Sequence, residues 1–415
     1  MPLQCVSVSR EQTMGSVPGG TFYLGDSLEL MDDLRVEYAG RVKCVYLDPP
    51  FLTDRTFHMS VRVGEADWKK SNGSRRVPAY DDCQTPEEYY SMMRRVLEGV
   101  HSMLSDSGSL FVHVDYRAHA RLRILADEIF GEDNFVNEII WAYKSGGRSR
   151  TSFPKKHDVI LFYRKSREQD FRLDAVLEQR SDPPDNHMRR HVDPDGRVYR
   201  SIRSNGRIYT YYDDDPVAPT DVWDDISHLQ QKDYERTGYD TQKPLKLLHR
   251  IERCTTREGD IVMDLFAGSC TSLEAAKLDG RQFVGVDRCP LTVNIARRRL
   301  ADSFVTYRLP SSPETGARCE AQAFYGVGLY YVTLLSFHLD APEWGCDGLD
   351  AVDNWSAGYL ENGVFRAAAH FERDRKHPAL QTELRVPMYD GVPAVRVGTV
   401  SGTNYYFLLD QTDRL

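Results

Sequence analysis

Two stretches of this chain carry side chains whose types and spacing could do chemistry. In the first, the apolar run Val42–Leu47 stops at Asp48-Pro49-Pro50-Phe51. An amino group conjugated to an aromatic ring is a poor nucleophile, because its lone pair is delocalised into the ring. Chemistry on it needs acceptors that hold the N–H bonds and let the nitrogen pyramidalise. The Asp48 carboxylate and the Pro49 carbonyl, held between two rigid prolines, suit that task, and the Phe51 ring can stack on a planar partner. Taken alone, Asp-Pro-Pro also reads as an ordinary strand-ending turn.

The second stretch is Asp260–Ala276 followed by Phe283–Asp287. An apolar strand ending in Asp264, a small-residue loop, a helix and a second strand ending in Asp287 form a nucleotide-binding β-α-β pattern. Small residues let the backbone approach a ligand, and the start of the helix offers unpaired N–H groups. Asp287 comes 23 residues after Asp264, a position from which it can hydrogen-bond a ribose diol. The spacing G-x-G-x-x-G is absent, so a structural turn with no ligand stays open at this point.

The elements around these stretches must position them. Apolar spacing predicts a strand at Thr21–Leu24, a helix over Asp26–Leu34 and a strand at Val42–Leu47. Two prolines forbid further pairing, so Asp48 should stand at the strand's carboxyl end, where open α/β sheets keep their chemistry. From Phe57 to Tyr80 the composition turns polar and suggests a mobile loop. A helix should start at Thr85-Pro86-Glu87-Glu88, with Thr as N-cap and Pro in first position. A buried strand at Ser109–Val114 and a helix over Ala118–Ile129 follow. His113 and Asp115 look like a reactive pair, although a structural role at a strand end is the simpler reading.

Residues 144–240 break the alternation and read as an insertion or lobe, with β-like pieces at Val159–Tyr163 and Arg207–Tyr212. Alternation resumes with a helix from Lys243-Pro244 to about Cys254, a strand at Asp260–Leu265, a helix over Thr271–Leu278 and a strand at Gln282–Val286. Beyond residue 310, apart from 321–337, short runs rich in Tyr, Val and Gly read as a small β-rich accessory domain.

The bulk composition narrows the function classes. At 415 residues, two folded units are expected. No run approaches a membrane span and the first 20 residues lack signal-peptide character, so the expected location is the cytoplasm with no membrane partner. Eight cysteines without a Cys-x-x-Cys pair argue against a zinc site or a disulfide framework, and no metal is expected. The net charge of −9 conceals a basic stretch: residues 144–207 hold 16 Lys and Arg against 9 Asp and Glu. Local sign matters more than the total for nucleic acid, though a solvated polar surface explains many such runs.

The joint occurrence of Leu47-Asp-Pro-Pro-Phe51, Thr241-Gln-Lys-Pro-Leu245, Asp264-Leu-Phe-Ala-Gly-Ser269 and Gly285-Val-Asp287 resembles the β-class DNA amino-methyltransferases, in which the catalytic motif precedes the cofactor motif. Further similar segments, in family order, are Tyr23–Ser27, Gly108–Asp115, Asn137–Trp141, His157–Tyr163 and Asp221–Asp225, and the resemblance covers roughly residues 20–305. It implies an α/β fold: a Rossmann-like S-adenosylmethionine-dependent methyltransferase sheet with helices on both faces, an inserted target-recognition region and a small β-rich C-terminal domain. The implied boundaries are 20–143 for the catalytic half, 144–240 for target recognition, 241–308 for the cofactor half and 309–415 for the accessory domain.

The implied activity is methyl transfer from S-adenosylmethionine to adenine N6 in duplex DNA by base flipping. Cytosine N4 methylation, or a DNA- or cofactor-binding regulator without turnover, is the alternative. Asp before Pro-Pro, rather than Ser, tilts toward adenine. Asp48, Pro49, Pro50 and Phe51 would handle the base, stacking it near Tyr80 or another aromatic. Phe266 and Gly268 would flank the cofactor, Asp264 its methionine part, Asp287 its ribose and Asp26 its adenine, with Lys243 and Pro244 on the methionine side and Ser269, Cys270 and Thr271 completing the loop. DNA contacts would come from Lys144, Arg148, Arg150, Lys155, Lys156, Arg189, Arg190, Arg200 and Arg203. The 57–76 stretch would close over DNA or cofactor, or remain a surface loop. The sequence departs from the family at Cys270, where a glycine is usual, and at Ser272, where Thr is common. A Cβ at 270 is expected close to the cofactor path. A cognate restriction nuclease and a homodimer stay open as partners.

Overall fold

In the computed structural model, residues 2–15, 17–70, 73–143, 150–179, 188–230 and 232–409 are described. The backbone of the molecule is a 15-stranded sheet. Its middle is parallel: Ser303–Arg308, Val17–Leu24, Gln282–Asp287, Ile261–Asp264, Val42–Leu47 and Leu104–Val114 lie side by side in that order. Such strands are buried on both faces, which accounts for continuous apolar runs such as Val42-Lys-Cys-Val-Tyr-Leu47 in place of strict alternation.

Helices cover both faces. On one side Met31–Tyr38, Pro86–Met103 and His119–Phe130 pack Leu34, Met93, Val96 and Leu122 against Val45, Leu47 and Met263. On the other, Leu245–Arg253, Thr271–Leu278 and Pro290–Arg299 pack Leu247, Leu273 and Val293 against Cys44, Tyr46 and Val262. The helix expected after Thr85 forms with a full capping box: Thr85 accepts from the Glu88 N–H while the Glu88 carboxylate accepts from the Thr85 N–H at 3.0 Å.

Several expectations change. The helix expected over Asp26–Leu34 begins only at Met31. The Asp26 carboxylate accepts the Leu28 N–H at 2.8 Å, an Asx turn that diverts the backbone before the helix can start. The expected loop from Phe57 to Tyr80 contains the antiparallel pair Thr56–Val61 and Arg75–Asp81 with the short helix Gly64–Lys69 between them. Residues 157–164 do not belong to a separate lobe. They form a strand of the main sheet, antiparallel to Leu104–Val114 on one side and Phe135–Ala142 on the other. Among the described residues of the insertion, Arg190–Val192, Val198–Ser204 and Arg207–Tyr212 form a separate three-stranded sheet.

The C-terminal strands also extend the main sheet. Arg10–Thr13 pairs with Ser303–Arg308 on one edge and Val364–Glu372 on the other, and Gln4–Val6 pairs with Asn404–Leu408. The tail therefore continues the sheet and takes in the first residues of the chain. A buried ionic cluster closes the seam: Glu11 accepts from Arg297 at 2.6 and 2.9 Å and from the Tyr406 hydroxyl at 2.9 Å. Removing one partner of a buried pair strands the other, at a cost of about 3–5 kcal/mol. Glu11→Ala should lower the stability of the folded chain by about that amount in urea unfolding, since Arg297 and Arg396 would lose their buried counter-charge.

Candidate functional site

Ile261–Asp264 pairs directly with Val42–Leu47, with Met263 beside Val45. Because the strands are parallel and neighbours, Asp264 and Asp48 leave the sheet at the same edge. Between them opens a cleft that, counted out to its mouth, encloses about 930 Å³. Asp26, Asp48, Pro50, Lys243, Asp264, Phe266, Gly268, Ser269, Thr271 and Asp287 all line it, so ten of the fourteen residues expected to handle the base or the cofactor meet in one place.

Asp48 is held asymmetrically. Its Oδ2 accepts from Lys243 Nζ at 2.5 Å, while its Oδ1 is buried and meets no hydrogen-bond donor among the described residues. Lys243 also lies 5.2 Å from the centroid of the Phe51 ring, and that ring stacks on His113 at 5.8 Å. Lys243, expected beside a cofactor, is thus committed to the Asp-Pro-Pro-Phe loop. Pro49 is buried within that loop, and neither it nor Pro244, which caps the following helix, lines the cleft.

The loop 51–53 hangs on a carboxylate that the sequence reading missed. Asp82, 1% exposed, accepts the N–H groups of Phe51, Leu52 and Thr53 at 3.1, 3.1 and 2.8 Å and the Thr53 hydroxyl at 2.7 Å. Leu52 and Asp54 both sit at φ 54°, a left-handed conformation costly for L residues, and these bonds hold it. Nothing at the level of sequence marks Asp82, because its role depends on the strand Arg75–Asp81 returning beside the loop.

The opposite wall is built from the glycine turn. Asp264 Oδ1 accepts the Phe266 N–H at 2.9 Å and its Oδ2 takes the Ser272 hydroxyl. Asp287 Oδ2 accepts the Gly268 N–H at 2.7 Å and its Oδ1 the Cys289 N–H at 2.7 Å. Burial pushes both carboxyls up, Asp264 to about 7, against the pull of these donors. Stacked rings of Phe57, Tyr80 and Tyr239, with centroids 5.0 and 6.3 Å apart, extend from the cleft, which Tyr80 and Tyr239 line; the Tyr239 contribution was not foreseen.

Cys270 corrects an expectation. Its φ of 56° explains why a glycine would be comfortable there, yet its side chain is fully buried in the apolar layer with Leu273 and Val262. It does not line the cleft. His113 likewise does not pair with Asp115. It bonds Tyr46 at 2.9 Å and Asp158 at 3.4 Å, whereas Asp115 caps the strand end through the Arg117 N–H at 2.8 Å.

Of the basic residues, Lys144 and Arg148 lie outside the described residues. Arg150, Lys155, Arg189 and Arg203 are exposed and Lys156 is half-buried. Lys155 sits over the Tyr116 ring at 3.7 Å. Arg190, also exposed, pairs with Asp213 at 3.2 Å. Arg200 is buried against the same Asp213 at 3.2 Å, so it braces the small sheet and is not presented to a ligand.

A family model described as DNA methylase matches residues 42–298. The chain is 26% identical over 328 residues to type II methyltransferase M.EcaI of Enterobacter cloacae, covering 68% of this chain and 69% of that protein. To type II methyltransferase M.BglII of Bacillus subtilis it is 29% identical over 230 residues, which span 53% of this chain and 59% of that one. Among solved structures, the PvuII cytosine-N4-specific DNA methyltransferase is similar with a TM-score of 0.45 at 18% identity, covering 70% of this chain and 88% of that one.

The raised carboxyl makes the cleft sensitive to pH. Asp264 titrates near 7 when folded, against about 4 for a free Asp. The folded state therefore holds this proton more tightly, and its contribution to stability falls as pH rises from about 4 to about 7. Asp264→Asn should melt higher than the wild-type chain at pH 8 without ligand, with the gap closing as pH falls toward 4 in thermal scans.

Proposed function

Because the chain belongs to the N6/N4 family of DNA methylases, we propose that it moves a methyl group from S-adenosylmethionine to the N6 amino group of an adenine flipped out of duplex DNA. The observation that carries this reading is the divided Asp48 carboxylate. One oxygen is taken by Lys243, and the other is buried, without a donor among the described residues, in the same cleft as the Asp264 and Asp287 turns. An unmet buried acceptor is costly until a donor arrives, and an exocyclic amino group is such a donor.

The cleft also suits the cofactor's charge. Four carboxylates line it, two with raised proton affinity, and a ligand carrying fixed positive charge relieves that crowding. Asp287 and the Gly268 turn would hold the ribose, Asp264 with Phe266, Ser269 and Thr271 the methionine part, and Asp26 the adenine. When bound, S-adenosylmethionine supplies an electrophilic methyl on a sulfonium.

The protein's own residues do the rest. Asp48 Oδ1 and the Pro49 carbonyl accept the two N–H bonds of the target amino group and draw its lone pair out of conjugation. Lys243 keeps Asp48 oriented. Phe51, backed by His113, stacks on the base, and the rings of Tyr80 and Tyr239 keep water away. Catalysis on this reading is positioning plus electrostatics. Arg150, Lys155, Lys156, Arg189, Arg190 and Arg203 would meet phosphates and fix the register of the duplex. The type II names of M.EcaI and M.BglII support a role in restriction-modification beside a cognate nuclease.

Asp48→Ala should lower methyl transfer to DNA by at least about 10³-fold while the affinity for S-adenosylmethionine stays within about twofold of the wild-type chain. Digestion of the methylated DNA to nucleosides and mass spectrometry should give N6-methyladenine. Finding N4-methylcytosine in its place would keep the family and overturn the choice of base.

A further inference from the structure

A second and larger groove opens beside the cleft, and Tyr239 lines both. Counted out to its mouth it encloses about 2660 Å³. Its walls are the hairpin of Thr56–Val61 and Arg75–Asp81, the 234–240 segment, the helix Pro290–Arg299 and a turn of the C-terminal unit at 374–376.

The carboxylates along this groove are already engaged. Asp353 pairs with Arg298, Glu274 with Arg299 and Asp240 with Arg76. Glu235 accepts the Leu245 N–H at 3.0 Å, and Asp374 accepts the Lys376 N–H at 2.7 Å. Two cations are not so engaged: Arg375 and Lys376 are exposed and, among the described residues, form no salt bridge. Arg62 faces them from the hairpin. Its guanidinium donates to the carbonyls of Asp67 and Lys70 at 2.7 and 2.8 Å. Burial holds its pKa below the ordinary value, and the like charge of Arg375 adds to the effect. The Trp68 ring braces this wall between Arg62 and Arg298, each 5.4 Å from its centroid.

Cations gathered along one groove, in a chain whose net charge is −9, form a place that an anion stabilises. A single small anion would be served by one such group. Arg62, Arg375 and Lys376 line one groove that shares Tyr239 with the cleft, and several cations along one groove suit a polyanion with closely spaced charges. We propose that this groove is a wall of the DNA channel, in which Arg62, Arg375 and Lys376 hold phosphates of the strand that carries the target base. The C-terminal unit then acts as a DNA clamp through the 374–376 turn. This inference rests on the reading of the chain as a DNA methyltransferase and assigns its tail a part in substrate binding.

The test is binding of a fluorescent mixed-sequence duplex, followed by anisotropy from 50 to 200 mM salt, with R375E/K376E beside the wild-type chain. Both side chains are exposed, and a melting temperature equal to that of the wild type confirms the fold. The variant should bind DNA on the order of tenfold more weakly, and the slope of log affinity against log salt should flatten by between about one and two. Its affinity for S-adenosylmethionine should not change, and R375K/K376R should restore DNA binding. Wild-type affinity and slope in R375E/K376E would overturn the proposal, as would weaker binding with an unchanged slope. A wild-type chain that binds DNA but transfers no methyl group to any duplex would defeat the enzymatic reading alone, and the binding comparison would still decide this one. A wild-type chain that binds no duplex defeats both.

Discussion

The pairing of two parallel strands, Val42–Leu47 and Ile261–Asp264, is the constraint on which the rest depends. Each strand ends in a carboxylate, and being parallel neighbours they end at the same edge of the sheet. Everything between them in the chain, including the antiparallel strands and the small three-stranded sheet, is routed around this contact without separating it. The cleft follows from that adjacency. One wall is a rigid proline turn and the other a small-residue turn, so a planar amino donor and a nucleotide-like ligand can share one crevice.

Within the cleft the charges are arranged so that the unliganded protein is left with an unfinished interaction. Lys243 donates to one oxygen of Asp48, and the other meets no donor among the described residues. Asp264 and Asp287 are buried deeply enough to resist ionisation, and their fixed backbone partners keep them from turning away. Stability is thereby given up at the site and supplied by the double-faced apolar core and the buried seam between Glu11, Arg297 and Tyr406.

Much of this was legible in the sequence where local chemistry dictates local structure. Apolar runs ended by Asp, the Thr85 cap and the glycine turn each carry their own signal. What escaped was set by tertiary return. Asp82 matters because a hairpin brings it under the 51–53 loop, and Tyr239 because the 234–240 segment folds over Gly268. The strand at 157–164 looked like part of an insertion because sequence order hides the antiparallel return of a sheet edge. Arg200 carried the right charge for DNA but spends it on Asp213, a partner thirteen residues away across a turn. The tail's union with the first residues of the chain, through Arg10–Thr13, has no local signature.

The central claim is that the carboxylate after Val42–Leu47 and the turns after Ile261–Asp264 and Gln282–Asp287 serve one reaction from opposite walls. A crystal structure of the chain with S-adenosylhomocysteine tests it most directly. The account predicts the ribose hydroxyls on Asp287, the amino-acid end beside Asp264, and the sulfur facing the free oxygen of Asp48. Density for the ligand outside this cleft, or with its sulfur turned away from Asp48, would contradict it.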